Sequence, residues 1–186
     1  MIGYAVCGSF CTHAVSLKIL SELRKDYDVL TIVSFNASSI DTRFGRSSEL
    51  IQKLESISEK NSIKTIAEAE PLGPKIKLDA LIISPCTGNT LSKLAHGVTD
   101  TPVTMAAKAH LRSNRPLIIA LATNDALSAN LVNIGNLLNR KNVYFVPMIQ
   151  DDPIGKPHSL VADFSQLRET FELAMKGEQL RPMFIK

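Results

Sequence analysis

The sequence predicts an α/β fold, with helices on both faces of a three-layer, doubly wound, Rossmann-like parallel sheet. Short apolar runs alternate with segments of helical periodicity along the 186 residues. The runs are apolar throughout, as expected for strands that are covered on both faces. Right-handed crossovers between such strands then favour the strand order 3-2-1-4-5-6.

Six strands are predicted, at residues 2–7, 28–33, 63–66, 79–84, 116–122 and 143–147. Helices are predicted from a segment at 103–111 and from four apolar stripes: Val15, Ile19, Leu20 and Leu23; Leu50, Ile51, Leu54 and Ile57; Leu91, Leu94, Ala95 and Val98; and Leu127, Leu131, Ile134 and Leu138. A turn-rich segment at 150–157 and a last amphipathic helix follow. We interpret residues 1–186 as a single domain, with a C-terminal helix and tail from about residue 160.

Composition limits the function classes. The net charge is +3, and the densest basic groups are Arg112/Arg115 and Arg140/Lys141. Few aromatic residues lie beside them, so they are interpreted as solvated surface and no nucleic-acid partner is expected. The apolar runs are too short to cross a bilayer, and the first residues carry no basic leader, so a cytoplasmic protein without membrane contact is expected.

The cysteines are Cys7, Cys11 and Cys86. Their odd number favours a reducing compartment over a disulfide framework, and without a Cys-x-x-Cys pair no metal site is expected. We interpret them as small core or loop residues. Because Cys11 and Cys86 are near predicted helix N-termini, a lowered thiol pKa is the alternative.

Two polar loops, Gly8–Thr12 and Ser84–Thr90, follow the first and fourth predicted strands. In the predicted order these strands are neighbours where the winding reverses, which is where such sheets bind ligands. Free amides at the start of a helix favour an anion, so a pocket for a phosphorylated cofactor is predicted. The predicted cofactor-binding residues are Gly8, Ser9, Thr12, Ser34, Ser84, Thr87, Asn89, Thr90 and Thr123.

Alternatives remain for several polar residues. Ser9 or Thr12 could simply cap the first helix, and Thr87 could cap a later helix while the loop still binds a ligand. Asp125 is interpreted as a helix cap in preference to a proton acceptor. The sequence contains neither G-x-G-x-x-G nor G-x-x-x-x-G-K-[ST], so it supports neither an ordinary dinucleotide fingerprint nor a P-loop nucleotide site.

The second loop, with Lys93, Ala95, Gly97 and Asp100 after it, resembles a motif of one known family. This is the flavoprotein family of FMN-binding cysteine decarboxylases and flavin prenyltransferases, whose loop reads Pro-Ala-Ser-Ala-Asn-Thr or similar. The resemblance implies FMN as a possible cofactor and a homo-oligomer with pockets near the boundaries between protomers. By the same resemblance, the FMN-contacting positions are Gly8, Ser9, Ser34, Asn89 and Thr90, with Thr123 a further candidate.

Further segments are similar to one group within that family, the B-type subunits of a two-subunit synthase of pyridine-2,6-dicarboxylate in spore-forming bacteria. They are residues 41–45, 68–75, 123–127, 144–147, 150–153 and 159–162. This similarity implies oxidation of a dihydro precursor together with an A subunit that holds the dinucleotide, NADP. Arg43 is predicted to bind a carboxylate of the substrate, with a surface ion pair as the alternative.

Some family features are missing. The family's decarboxylases use a histidine in the loop region after the second or third strand, where none of the four histidines falls, and residues 122–125 depart from the Pro-Ala-Met-Asn-like segment. No catalytic residue is therefore predicted. His96 is interpreted as a packing or capping residue and Lys93 as solvent-facing. An independent FMN enzyme and a non-enzymatic accessory subunit remain alternatives.

Overall fold

A computed structural model describes residues 1–185. Its central sheet has five parallel strands in the order β2-β1-β3-β4-β5. These strands are β1 (Ile2–Val6), β2 (Val29–Val33), β3 (Leu81–Cys86), β4 (Leu117–Thr123) and β5 (Val143–Phe145). The α/β class and the parallel, Rossmann-like sheet are confirmed.

The predicted third strand is not present as a full strand. Ile63 forms a single parallel bridge with Ile32 at the outer side of β2. The strand cannot continue past this point because Thr65 caps the start of a helix. Thr65 Oγ1 accepts a hydrogen bond from the Glu68 amide, and Glu68 Oε2 accepts one from the Thr65 amide. The predicted order therefore holds for the other five strands. The predicted third strand is replaced by the single bridging residue Ile63, beside β2.

Three short strands extend the sheet beyond the prediction. They are β6 (Met148–Ile149), β7 (Leu160–Ala162) and β8 (Phe184–Ile185). Strand β7 runs antiparallel to the end of β4 and to β6, and β6 pairs in parallel with β8. Each of these pairings involves only two residues of each strand, which leaves no periodic pattern in the sequence that would predict it.

Eight α-helices are present in the described residues: α1 (His13–Arg24), α2 (Phe35–Ser39), α3 (Ser47–Ser58), α4 (Ile66–Ala69), α5 (Gly88–His96), α6 (Pro102–Leu111), α7 (Leu131–Leu138) and α8 (Leu167–Ala174). Two hydrophobic clusters cover the two faces of the sheet. Helices α4 to α7 contribute to one cluster, and α1, α2, α3 and α8 contribute to the other. The strands supply alternate residues to each cluster, since Ala5 lies in one and Tyr4 in the other. This arrangement is the three-layer architecture that the uniformly apolar strands predicted.

The predicted stripe Leu127, Leu131, Ile134 and Leu138 is wrong in part. Leu127 is half-buried and precedes α7, and Leu131 and Leu138 are 49% and 37% exposed. Only Ile134 of the four is fully packed into the core, beside Leu137. The predicted last helix is confirmed as a 3-10 turn at Phe164–Gln166 followed by α8. No helix within residues 1–185 is long and apolar enough to span a bilayer.

Candidate functional site

A cleft of about 530 Å³ lies where β1, β3 and β4 end. Its walls include the Gly8–Thr12 loop, residues Thr87–Asn89 and residues Thr123–Asn124. These segments come together because neighbouring parallel strands have their carboxyl ends at one edge of the sheet. The two polar loops identified in the sequence therefore share one cavity.

The first loop offers unused hydrogen-bond donors. The amides of Gly8, Ser9, Phe10 and Cys11 donate to no other group within residues 1–185. The Ser9 side chain caps no helix and has no partner in that part of the chain. Four such amides and one hydroxyl, all on residues that line the cleft, suit a ligand with several acceptor oxygens.

The alternative that Ser9 or Thr12 caps the first helix is wrong. Neither Thr12, at the start of α1, nor Ser9, at the start of the preceding 3-10 turn, makes a side-chain cap. The Thr12 hydroxyl instead donates to the Ser9 carbonyl at 2.8 Å, which holds the loop in its turn. Because the Ser9 hydroxyl makes no hydrogen bond within the described residues, it is available to a ligand.

The second loop combines a capped helix with a free amide side chain. Thr87 is the N-cap residue of α5, and its Oγ1 accepts a hydrogen bond of 3.2 Å from the Thr90 amide. Asn89 is exposed and makes no side-chain hydrogen bond to the described residues. Its amide group can therefore both donate to and accept from a bound molecule.

The close approach of Gly88 to β4 shapes the back of the cleft. A Cβ atom at position 88 would lie 2.6 Å from both Asn130 Nδ2 and Thr123 Oγ1, and 2.8 Å from Asp125 Oδ1. Those three side chains form one network, in which Thr123 Oγ1 and Asn130 Nδ2 donate to the Asp125 carboxylate. Asp125 is therefore not the helix cap that the sequence suggested, since it holds Thr123 and Asn130 in place. Only glycine leaves room for this network.

Six of the nine predicted cofactor-binding residues line the cleft: Gly8, Ser9, Thr12, Thr87, Asn89 and Thr123. The other three make internal contacts. Ser34 caps α2 by accepting from the Ala37 amide, buried Ser84 contacts Ser16, and the Thr90 hydroxyl donates to Cys7 Sγ. Their predicted contacts with a cofactor stay predictions.

The predicted carboxylate ligand Arg43 lies outside the cleft. Its guanidinium is exposed and stacks over Phe44, 4.9 Å from the ring centroid, and only Phe44 reaches the cleft wall. The predicted role of Arg43 stays a prediction.

Sequence reasoning missed one wall of the cleft. Asp151, Lys156 and Ser159 lie along it, on the connection between β6 and β7. Lys156 Nζ pairs with Asp151 Oδ2 at 3.0 Å, and this pair raises the pKa of the lysine and lowers that of the aspartate. Lys156 is the one cationic side chain among the lining residues that the structure describes. In the sequence, Lys156 lies in a turn-rich segment, and such a pattern does not indicate which part of the fold the turn contacts.

The cysteine thiols differ in environment. Burial raises the pKa of Cys7 to about 11 and raises the pKa of Cys86 well above its ordinary value. The lowered thiol pKa considered for Cys86 is therefore wrong, because desolvation of the thiolate outweighs its position near a helix N-terminus. Cys11 is exposed on the cleft wall.

None of the four histidines lines the cleft. His13 Nε2 donates to the Cys7 carbonyl at 2.7 Å, and burial lowers the pKa of this ring. His96 Nδ1 hydrogen-bonds to the Ser92 carbonyl one turn earlier in α5, at 2.8 Å. Lys93, expected to face solvent, is half-buried and pairs with Asp100 at 2.8 Å. Within residues 1–185, no group of three His, Cys, Asp or Glu side chains is placed to hold a metal ion.

Comparisons with known proteins agree with this geometry. A model of the Flavoprotein family matches residues 1–167. The chain is 44% identical over 186 residues to the B subunit of dipicolinate synthase from Bacillus subtilis (strain 168), covering 100% of this chain and 93% of the relative.

Solved structures show the same relationship. The crystal structure of the dipicolinate synthase B subunit from Bacillus halodurans C superposes with a TM-score of 0.91 at 42% identity, covering 100% of this chain and 95% of that one. A dodecameric FMN-dependent UbiX-like decarboxylase from Escherichia coli O157:H7 shares the fold, with a TM-score of 0.61, 21% identity, and coverage of 79% of this chain and 80% of that chain. The chain belongs to the flavoprotein family and, within it, to the dipicolinate synthase B subunits.

Proposed function

We propose that this chain works with a dinucleotide-binding A subunit to oxidise a dihydrodipicolinate-level precursor to dipicolinic acid during sporulation, in the cytoplasm. The observation that carries the proposal is the match along the whole chain to the Bacillus subtilis protein. Because the chain has no G-x-G-x-x-G motif, we assign NADP to the partner subunit.

The proposal includes FMN in the cleft at the ends of β1, β3 and β4. The residues present fit this group, since within residues 1–185 the first loop has four unpaired amides and the Ser9 and Asn89 side chains have no hydrogen-bond partner. We assign the phosphate to the amides and the Ser9 hydroxyl, and polar edges of the cofactor to Asn89 and Thr123. A bound flavin supplies the capacity to take up or give electrons.

The residues of this chain would bind and orient the reactants. Phe10 and Phe44 offer apolar surface beside the polar loops. Lys156 places a positive charge on the cleft wall, where it suits a carboxylate of a dianionic substrate. Its ion pair with Asp151 limits the positions that the lysine head can take.

A homo-oligomer is also proposed. The FMN-dependent decarboxylase that shares this fold is a dodecamer. On α7 of the present chain, Leu131, Val132 and Leu138 expose apolar surface that a second copy of the chain could cover. Sedimentation at several protein concentrations tests this part, and a monomer throughout would contradict it.

The function is tested by reconstitution. The chain is purified alone and together with an A subunit. We expect dipicolinate and reduced NADP to appear in equal amounts only when both subunits are present. Full activity of the A subunit alone would contradict the catalytic proposal and identify this chain as an accessory subunit. Turnover of a peptidyl-cysteine or prenyl substrate by the chain alone would instead favour an independent FMN enzyme.

A further inference from the structure

A second cleft, of about 430 Å³, lies at the opposite edge of the sheet. It is formed by the carboxyl ends of α5 and α6 and by the turn between α7 and β5. Helices that connect parallel strands end at the edge where the next strand begins, so this cleft is at the amino edge of the sheet. It shares no lining residue with the cleft described above.

The charged side chains that line this second cleft are all basic in the part of the chain that the structure describes. Among the described residues, four basic side chains line it, from Lys108, Arg112, Arg140 and Lys141, and no aspartate or glutamate does. None of the four forms an ion pair with a carboxylate anywhere in residues 1–185. The fold thus brings together two basic groups that are far apart in the sequence, and that looked like ordinary solvated surface there.

The helix dipole explains only part of this arrangement. Basic residues are favoured near the carboxyl ends of helices, and Arg140 Nη1 does donate to the Leu94 carbonyl at the end of α5, at 3.3 Å. That preference does not require four cations around one cavity without a single carboxylate. An anion bound between them would relieve their mutual repulsion.

The remaining walls indicate what kind of anion fits. Leu94, Val98 and Leu111 give the cleft an apolar side, and Val98 is 42% exposed. Arginine forks bind phosphate oxygens in pairs, and lysines add point charges. A cavity of this size is in the range of small-molecule sites.

We propose that this cleft binds a nucleotide-sized organic phosphate, which carries at least two phosphoryl groups on an uncharged ring system. The phosphoryl groups contact the four basic side chains, and the ring contacts the leucine and valine side chains. This site does not depend on the proposed reaction or on FMN.

Titration calorimetry of the full chain tests the proposal, with ADP, tripolyphosphate and adenosine as the probes. We expect saturable ADP binding, at least about tenfold weaker binding of tripolyphosphate, and no measurable binding of adenosine. Arg112→Ala and Lys141→Ala should each weaken ADP binding about tenfold or more, and Lys108→Gln serves as a further variant if either fails to fold.

Two control variants show whether ADP binds at this cleft or elsewhere on the surface. Lys25→Ala removes an exposed cation outside the second cleft, and Asn89→Ala alters the first cleft. Both should bind ADP like the unchanged chain. The proposal is overturned if ADP shows no saturation at millimolar concentration, if tripolyphosphate binds as tightly as ADP, or if either control loses as much affinity as Arg112→Ala.

Discussion

The Thr90 hydroxyl donates a hydrogen bond of 3.4 Å to Cys7 Sγ, and this contact joins the first turn of α5 to the residue that follows β1. The same hydroxyl accepts a hydrogen bond from Thr87 Oγ1 at 3.1 Å. The second polar loop is therefore fixed to the strand that carries the first loop. Because the loops are held together by the protein itself, the cleft between them exists before any ligand binds.

Gly88→Ala should destabilise the protein. The new methyl group would lie 2.6 Å from Asn130 Nδ2 and Thr123 Oγ1, so the network around Asp125 must shift. We expect the free energy of unfolding to fall by about 1–3 kcal/mol, measured by urea denaturation. Gly135→Ala is the matched control, because nothing lies within 4 Å of a Cβ at that helical position. It should raise stability by about 0.5–1 kcal/mol, and equal effects of the two changes would contradict the steric origin of the loss.

Asn89→Ala should weaken FMN binding. The side chain makes no hydrogen bond within the described residues, so its removal leaves the fold intact and takes away one polar group of the cleft. We expect about a tenfold increase in the FMN dissociation constant, measured by the change in flavin fluorescence on titration. Asn136→Ala, at an exposed position on α7, should have no effect. A chain that binds no FMN at all would refute the assignment of this cofactor.

Lys156 and Arg43 can be compared as ligands of a substrate carboxylate. Lys156 lines the cleft, whereas Arg43 points its guanidinium over Phe44 at the exterior. In the reconstituted two-subunit enzyme, we expect Lys156→Ala to raise KM for the substrate about tenfold and Arg43→Ala to change it less than about twofold. The reverse ranking would support the role predicted for Arg43 from the sequence and contradict the assignment of Lys156.

Buried His13 should make stability depend on pH. Burial lowers its pKa below the ordinary value of 6.5, so the unfolded chain binds the proton more readily than the folded chain does. The stability that neutral His13 contributes is complete above about pH 6.5 and decreases as the pH falls through that value towards the folded-state pKa. Denaturation midpoints at about pH 7.5 and 5.5 should therefore differ less in His13→Gln than in the unchanged chain.

His96→Gln, at an exposed position, is the control for this experiment. It should keep the full difference between the two pH values. The same loss in both variants would show that His13 is not the source of the pH dependence. His110, whose pKa burial also lowers, accounts for a remaining decrease in the same direction.

The three thiols should react in two classes. Cys11 is exposed, whereas Cys7 and Cys86 are fully buried, and burial raises the pKa of both. With a thiol-specific chromogenic reagent at about pH 8, we expect one fast reaction per native chain and three after denaturation. Cys11→Ser should remove the fast reaction. A second fast thiol in the native protein would contradict the packing around β1 and β3.

The predictions that succeeded depend on long, regular patterns. The central strands are apolar on both faces, which predicted a covered parallel sheet, and the strand order favoured for such a sheet placed β1 beside β3, with Ser9 and Asn89 at one edge. Asn89 could be identified because its type and its position after a strand were both visible in the sequence.

The predictions that failed depend on particular contacts. Asp125 was expected to cap a helix, but its carboxylate is held by Thr123 and Asn130, and no local pattern shows that pairing. Lys156 was not singled out because its segment reaches the cleft through pairing of β7 with β4, which involves two residues of each strand. Contacts of this kind become visible only once the chain has folded.

The antiparallel pairing of β7 with the end of β4 determines how the site can diversify. In a purely parallel sheet, each binding loop leads from a strand into a helix. A change in such a loop therefore also disturbs a helix that packs on the sheet. The connection that carries Asp151 and Lys156 joins the short strands β6 and β7, and it does not lead into a core helix. Its length and charge can therefore change independently of the scaffold, and engineering a new ligand preference is best begun there.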